Sequence, residues 1–388
     1  MKVVYVLSST LSQGGATKSF HCMIKGLVSR GMEPVVVVPD NDGFCLTLRE
    51  EGIRTIVLNF RPAIYPPAGN AKEFVLFMPK LIAKLIVNRI AVRRLCKEAG
   101  RFGAEMIHTN VSVVDVGMRA ARRLGIPHVT HIREYGDRDF DMHVIPSRKI
   151  YLKNFTRKDS YSICITKDIA KYHRLDGSDN SKVIYNGVLT GADVVFDKGK
   201  DSYFLFAGRL EETKGVTALL EAYGKLCGRR KDAFPLLIAG DAGKKSYLDY
   251  LNDVVTSLNI TDKVRFLGGR DDVLSLMSKA SALIVPSRSE AFGRITAEAM
   301  FAGCLVIGKD TAGTKEQFDN GLELTGEEIG LRYEEEEELI RHLCDVMDNG
   351  VEAYFPMIGR AQKTVLSLYS AERQVENVFD FYKNILRK

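Results

Sequence analysis

At 388 residues the chain exceeds one ordinary domain, and its length points to two. Hydrophobic residues make up 45% of it, enough for sizeable cores, while the formal net charge is +6. Residues 72–101 hold eight basic and two acidic side chains, an excess equal to that of the whole chain, so the remainder is balanced. That distribution excludes a uniformly basic nucleic-acid binder and leaves a local basic patch to be explained.

The first residues, MKVVYVLSSTLSQGG, read as a buried strand and not as a secretory leader. No run of about 18 uncharged apolar residues occurs, so no membrane span is expected and the chain reads as cytoplasmic. Seven cysteines are scattered without a C-x-x-C pair or a His–Cys cluster, the usage of buried free thiols in a reducing compartment.

In chain order, VVYVLSS, PVVVVPD, RTIVLNF, EMIHTN, HVTHIRE and SICIT read as buried strands. ATKSFHCMIKGLVSRG and SVVDVGMRAARRLG between them read as helices stopped by glycine. The basic stretch KEFVLFMPKLIAKLIVNRIAVRRLCK is helical in composition, with Pro79 placed in a first helical turn. On a helical wheel Leu81, Ile82, Leu85, Val92 and Cys96 share one arc, and Lys80, Lys84, Arg94 and Lys97 lie off it. Arg89 interrupts the apolar arc. Two readings stay open: a helix packed on a sheet with a basic outer face, or one that docks on anionic lipid.

After VIYNGV the polar stretch LTGADVVFDKGKDS breaks the alternation, which restarts with YFLFAG, PLLIAG, KVRFLGG, ALIVPS and CLVIG. Strands separated by helices imply parallel sheets, so two doubly wound α/β domains are expected, with a boundary near residue 189. Such sheets bind ligands at the carboxyl ends of their strands, against helix N-termini.

One such corner is SEAFGRITAEAMFAG, residues 289–303. A helix starting near Gly293 frees the N–H groups of Gly293, Arg294 and Ile295 for an anion. Glu290 precedes it and Glu298 lies inside it, roughly 7–8 Å beyond Gly293 at 1.5 Å rise per residue. A nucleotide-sugar has that layout, its pyrophosphate on the amides and its sugar and ribose hydroxyls on the two carboxylates. Two ordinary exposed acids near a helix start remain the alternative. A second corner, AGRLEETKG, sets Arg209 and Lys214 after a strand, two cations suited to a pyrophosphate. A third, SQGGATKS, sets Gly14 and Gly15 ahead of a helix, where backbone can approach a ligand closely. It matches neither the dinucleotide fingerprint nor the P-loop.

With these residues in place the chain resembles the retaining family 4 glycosyltransferases of GT-B fold, of the bacterial polysaccharide-biosynthesis type. The resemblance runs through GGATKS, HIREYG, YNGV, AGRLEETKG and PSRSEAFGRITAEAMFAG, and the spacing Glu290-x7-Glu298 is its most specific mark. It implies two Rossmann-like domains facing across a cleft: residues 1–188 with a C-terminal crossover helix, 371–388, and residues 189–370 holding the nucleotide. By the same resemblance Arg209 and Lys214 hold the diphosphate, Glu298 the ribose and Glu290 the transferred sugar. The backbone of Ala291, Phe292, Gly293 and Arg294 meets sugar and phosphate oxygens, and Gly15 closes over the donor. Gly269 and Arg270 line the base, and His131 lies near the donor sugar with Arg133 and Glu134 beside it.

The resemblance also implies retention of anomeric configuration. Glu290 is the one candidate nucleophile for a double displacement, and its position points at sugar hydroxyls, which favours same-face attack with the leaving phosphate accepting the proton. No cofactor is expected. A metal reading rests on the D-x-D tripeptides in DND (40–42) and DRDFD (137–141), common matches in an acid-rich chain. The expected partners are a nucleotide-sugar donor, with UDP the leading base, a saccharide or lipid-linked saccharide acceptor, and an anionic inner-membrane face met by residues 72–101; no nucleic acid is expected. A sugar-nucleotide epimerase and a non-catalytic nucleotide-sugar-binding module stay open as alternatives.

Overall fold

The computed structural model describes residues 1–11, 14–65, 71–136, 143–144 and 147–387, with backbone alone for 71–74. It divides into two compact units, residues 1–187 with 374–388, and residues 188–373.

The first unit is a seven-stranded parallel sheet. Its strands are β1 (Lys2–Val6), β2 (Glu33–Val38), β3 (Arg54–Val57), β5 (Met106–Thr109), β6 (His128–Ile132), β8 (Ser160–Cys164) and β9 (Ser181–Val183), in the order β3-β2-β1-β5-β6-β8-β9. A separate antiparallel pair joins β4 (Ile64–Tyr65) to β7 (His143–Val144). Strand periodicity sorts the core into two layers. Val3 and Tyr5 point to one face, with Phe20, Met23, Ile24 and Leu27 of the helix Gly15–Ser29. Val4 and Val6 point to the other, with Ala91, Val92, Leu95 and Ala99 of the helix Ala71–Phe102.

The C-terminal helix Ala371–Leu386 belongs to the first layer through Val375, Val378, Phe381, Tyr382 and Ile385. Gly26 lets it approach, since a Cβ there would lie 2.4 Å from Val375 Cγ2. Tyr382 reaches the sheet, its hydroxyl 2.5 Å from His108 Nδ1 in a fully buried pair.

The second unit is a six-stranded parallel sheet of β10 (Asp201–Ala207), β11 (Leu236–Ala239), β12 (Val264–Gly268), β13 (Ala280–Val285), β14 (Val306–Lys309) and β15 (Leu331–Tyr333), ordered β12-β11-β10-β13-β14-β15. In each sheet the strand order reverses once at an internal neighbour pair, β1/β5 and β10/β13. Doubly wound sheets bind ligands outside the carboxyl ends of such pairs. The α/β alternation read from the sequence is thus observed.

The basic helix departs from its expected form. It begins at Ala71, so Pro79 sits inside it and not in the first turn. The missing N–H frees the Val75 carbonyl on a stretch where Val75 is 71% exposed and water can replace the bond. The expected apolar arc also splits. Val92 packs inward, whereas Ile82 and Leu85 face solvent. Lys84, expected on the outer face, turns inward, donating to the Ile64 carbonyl at 2.7 Å beside the Tyr65 ring. Asn88 is buried on the inner side, exchanging two 2.9 Å hydrogen bonds with the Arg61 backbone. Three of the seven cysteines are buried and four partly buried, all free. Among the described residues no helix is long and apolar enough to cross a membrane.

Tyr382→Phe should destabilise the first unit by about 1–3 kcal/mol, because His108 Nδ1 would stay buried without its partner. Urea unfolding followed through that unit's transition measures it, and an unshifted midpoint would remove this hydrogen bond from the account.

Candidate functional site

In the second unit the site is assembled across the β10/β13 reversal. After β10 the chain passes Gly208 and Arg209 into a 3-10 turn, Glu212–Lys214, and Gly215 then opens the helix Val216–Arg229. Gly215 has φ 73°, and a Cβ there would lie 2.2 Å from the Pro286 carbonyl oxygen. That approach places Lys214 over the loop that follows β13. Lys214 Nζ donates to Glu290 Oε1 at 2.6 Å, and Ser287 Oγ donates to the same oxygen at 3.0 Å. Both partners of the ion pair are about four-fifths buried, so water screens them less than an exposed pair.

Gly293, in the left-handed conformation at φ 76° and ψ 55°, turns the loop into the helix Arg294–Phe301. Glu298 lies on that helix and pairs with Arg294, whose Nε donates to Glu298 Oε1 at 2.8 Å. Arg294 Nη2 also donates to the Val188 carbonyl at 2.6 Å. The two carboxylates singled out from sequence are therefore each held by a cation.

The neighbouring helix Ala312–Thr325 fixes the loop from behind, which the sequence did not announce. Gly313 N–H donates to the Glu290 carbonyl at 2.8 Å. Gln317 Nε2 donates to the carbonyls of Phe292 and Gly293 at 2.5 and 2.9 Å. A Cβ at Gly313 would sit 2.4 Å from the Phe292 carbonyl. The only signals were a glycine and a glutamine at the start of an amphipathic segment, and both act through backbone contacts.

Other predicted residues stand apart from this cluster. Arg209 is 74% exposed in its side chain and pairs with Glu211 at 2.9 Å. Arg270 pairs with Asp272 at 2.5 Å, and Gly269 N–H donates to Asp241 Oδ1 at 2.7 Å, so Asp241 positions the loop after β12. A cavity of about 400 Å³ opens among Glu212, Thr217, Glu221, Tyr247, Tyr250 and Arg288. It adjoins Gly215, yet none of the predicted donor residues lines it.

In the first unit Gly14 caps the helix Gly15–Ser29, and no described atom lies within 4 Å of a Cβ built at Gly15. His131, on β6, is fully buried. Its Nδ1 lies 3.3 Å from Arg133 Nη2, while its Nε2 is buried without a hydrogen-bond partner among the described residues. Burial, then the charges of Arg133 and His108, push its pKa well below the usual imidazole range, so the ring is neutral. Glu134 is occupied structurally, accepting from Ser112 N–H (2.6 Å), Ser112 Oγ (2.8 Å), Val113 N–H (3.3 Å) and Arg133 N–H (3.1 Å).

Of the D-x-D tripeptides, residues 137–141 lie outside the described residues. In the other, Asp40 accepts from Thr10 Oγ1 and from Asp42 N–H, and so serves to shape its loop.

The family model described as "Glycosyl transferase 4-like domain" matches residues 14–187, and "Glycosyl transferases group 1" matches residues 193–383. An uncharacterized glycosyltransferase of Methanocaldococcus jannaschii is 30% identical over 55% of this chain and 58% of its own. The O-antigen chain mannosyltransferase of Salmonella typhimurium is 31% identical over 46% of this chain and 47% of its own. The chain thus aligns with about half the length of these curated relatives. Anabaena HepE, solved with UDP and with UDP-glucose, superposes at TM-scores of 0.78 and 0.77 over 99% of this chain and 100% of its own, at 19% identity. That likeness shows the GT-B fold.

Two glycine substitutions separate fold from ligand. Gly313→Ala should destabilise the second unit by about 1–3 kcal/mol, since the new methyl meets backbone that cannot rotate away. Gly15→Ala, pointing into open space, should change stability by less than about 0.5 kcal/mol. Urea midpoints of the two variants check this, and equal shifts would refute it.

Proposed function

We propose a donor, a mechanism and an acceptor for this chain, which belongs to the group 1 glycosyltransferases. It transfers a sugar from a UDP-sugar, with retention of anomeric configuration and without a metal, to a lipid-linked saccharide in cell-surface polysaccharide biosynthesis. The observation that carries this reading is the loop 287–293. It holds Glu290 on Lys214 and Ser287 and delivers the start of the Glu298 helix beside them.

In this reading the N–H groups at the helix start take a phosphate oxygen, with the helix dipole favouring the negative charge. Lys214 carries three donors, so it can keep Glu290 and still reach the diphosphate. Arg209, exposed and paired with the Glu211 carboxylate, swings onto the same group. Both cations then stabilise the charge that grows on the departing diphosphate. Glu290 accepts hydrogen bonds from the transferred sugar, and Glu298 from the ribose. An ammonium on Glu290 lowers its worth as a nucleophile, which supports same-face attack over a covalent glycosyl-enzyme. UDP rests on the ligands of the Anabaena structures, and the saccharide acceptor on the O-antigen chain relative.

The membrane contact has its own support. Val75, Met78, Ile82, Leu85, Ile86 and Ile90 are 45–71% exposed on one face of the helix Ala71–Phe102. Arg89, Arg93 and Lys97 continue that face and are exposed. An apolar row running into basic side chains fits an anionic bilayer, acyl region first and headgroups beyond.

Radiolabelled UDP-, GDP- and ADP-sugars, offered with and without lipid extract, test the transfer. Label should enter a lipid fraction from a UDP-sugar and persist in EDTA, with retained configuration; transfer abolished by EDTA and rescued by manganese would overturn metal independence. Glu298→Gln should weaken UDP binding about 10- to 150-fold in a folded protein, the worth of a hydrogen bond to a charged group. Unchanged affinity by calorimetry would take Glu298 out of the site.

Vesicle sedimentation tests the docking. Wild type should pellet with anionic vesicles at low salt and be released as the Debye length falls from about 10 Å at 0.1 M to about 3 Å at 1 M. Replacing Ile82, Ile86, Arg89 and Arg93 with glutamine should abolish pelleting. Equal pelleting of wild type and variant would leave this a solvated helix.

A further inference from the structure

The cavity of about 400 Å³ beside Gly215 takes no part in the donor reading, and it has a neighbour. A second cavity of about 120 Å³ shares Ala218 and Arg288 with it and runs on to Lys309, Tyr333 and Glu334. Together they form one trough across the helix Val216–Arg229. That helix packs its apolar side into the same core as the helices Lys245–Ser257 and Glu336–Asn349. Ala218 and Ala222, one turn apart, lie along the floor with Gly215 before them, and all three are too short to fill it.

Tyr247 and Tyr250 line one end, their rings nearly parallel at 25° with centroids 6.1 Å apart. Thr217 Oγ1 lies 3.3 Å from the Tyr247 hydroxyl and fixes that ring, whereas Tyr250 is 47% exposed. An exposed ring over a formed cavity presents an apolar face with a polar tip. Glu212, Glu221 and Arg288 set carboxylate acceptors and guanidinium donors around it. All three are exposed, and their side chains have no partner among the described residues. Backbone bonds hold Arg288 on both sides. Its N–H donates to the Thr213 carbonyl at 3.2 Å, and its own carbonyl accepts from Thr311 Oγ1 at 3.4 Å.

This mixture selects among ligand classes. A phosphate brought to Arg288 would also face Glu212 and Glu221, a like-charge juxtaposition that costs affinity. A wholly apolar ligand would strip water from charged groups and return nothing. A neutral sugar satisfies both ends: its C–H face suits tyrosine, and its hydroxyls donate to carboxylates and accept from guanidinium. Beyond Arg288, Lys309 and Glu334 offer the same pairing of donor and acceptor again, which fits a chain of sugars better than one.

We propose that this trough is a second saccharide site, separate from the donor corner, which holds a neutral oligosaccharide chain with one pyranose ring against Tyr250. It rests on the glycosyl-transfer reading for the saccharide class alone, and all its residues belong to the second unit. Ser287, next to Arg288, holds Glu290, so the chain site and the donor corner share one loop.

Full-length protein carrying ¹³C-labelled tyrosine tests it, with mannotetraose, maltohexaose and cellohexaose as probes. The two ring signals are assigned among fifteen tyrosines by their loss in Tyr247→Phe and Tyr250→Phe. At least one probe should shift both signals saturably, whether or not UDP is present. Ala218→Gln keeps a good helix former at an exposed position and fills the floor of both cavities. Saccharide affinity read at Tyr250 should then fall about tenfold or more, with UDP affinity unchanged. Glu221→Ala should weaken it about 3- to 10-fold, the size of one hydrogen bond. Signals that no probe moves overturn the site, and a shift undiminished in Ala218→Gln overturns its placement. Inorganic phosphate or UDP moving these signals more than the saccharides do overturns the neutral class. A protein that takes saccharide at Tyr250 and binds no UDP loses the donor reading and keeps this site; the reverse result sinks this site and spares the donor corner.

Discussion

At the carboxyl end of the second sheet, main chain meets main chain too closely for side chains. A Cβ at Gly240 would lie 1.8 Å from the Gly208 carbonyl oxygen, and one at Gly215 would lie 2.2 Å from that of Pro286. One at Gly313 would lie 2.4 Å from the Phe292 carbonyl. These approaches pull the loops after β10, β11, β13 and β14 into a single layer. Lys214 reaches Glu290 because Gly215 rests on Pro286, and Glu290 keeps its place because Gly313 rests on the turn behind it. The electrostatics of the site are therefore set by backbone packing, which is stiffer than any side-chain contact. Placing charge on such a layer costs no reorganisation when a ligand's charge develops.

The two units solve the burial of polar groups differently. In the second, carboxylates are matched by cations, Glu290 with Lys214 and Glu298 with Arg294, at side-chain exposures of 17–22%. Pairs of that kind can exchange one partner for a phosphate or a hydroxyl, because water reaches them. In the first, His108 and His131 are fully buried with rings 5.3 Å apart, and both are held neutral by burial and by Arg133. A charged ring there would face a fixed guanidinium in a poorly screened interior. Neutral imidazole is the form such a place tolerates.

Much of the architecture was legible because buried parallel strands are continuous apolar runs, and PVVVVPD or ALIVPS can hardly be anything else. The corner at Glu290 was legible for a local reason: glycine, helix start and two acids lie within a dozen residues. What failed was whatever depends on a second segment. Gly313, Gln317 and Asp241 act on loops far away in sequence, through carbonyls and N–H groups that no pattern of side chains encodes. The same holds for ion pairing, since nothing in AGRLEETKG says that Lys214 will meet Glu290 while Arg209 meets Glu211. Pro79 misled because proline is commoner at a helix start than inside one. A rule of propensity gave way to a helix long enough to carry one missing bond in water.

That long helix also shows where packing stops accounting for sequence. Its buried side is complete with Asn88, Ala91, Val92, Leu95 and Ala99. Single exposed apolar residues, such as Leu274 or Leu366 elsewhere, need no explanation. Val75, Met78, Ile82, Leu85, Ile86 and Ile90 form a row, and four of the six are poorer helix formers than the lysine or glutamate a solvated face would take. Neither propensity nor the core favours branched aliphatics there. A medium that is apolar beside Val75–Ile86 and anionic beside Arg89, Arg93 and Lys97 favours every one of these choices at once. The proposed bilayer contact supplies that medium with the residues already turned outward.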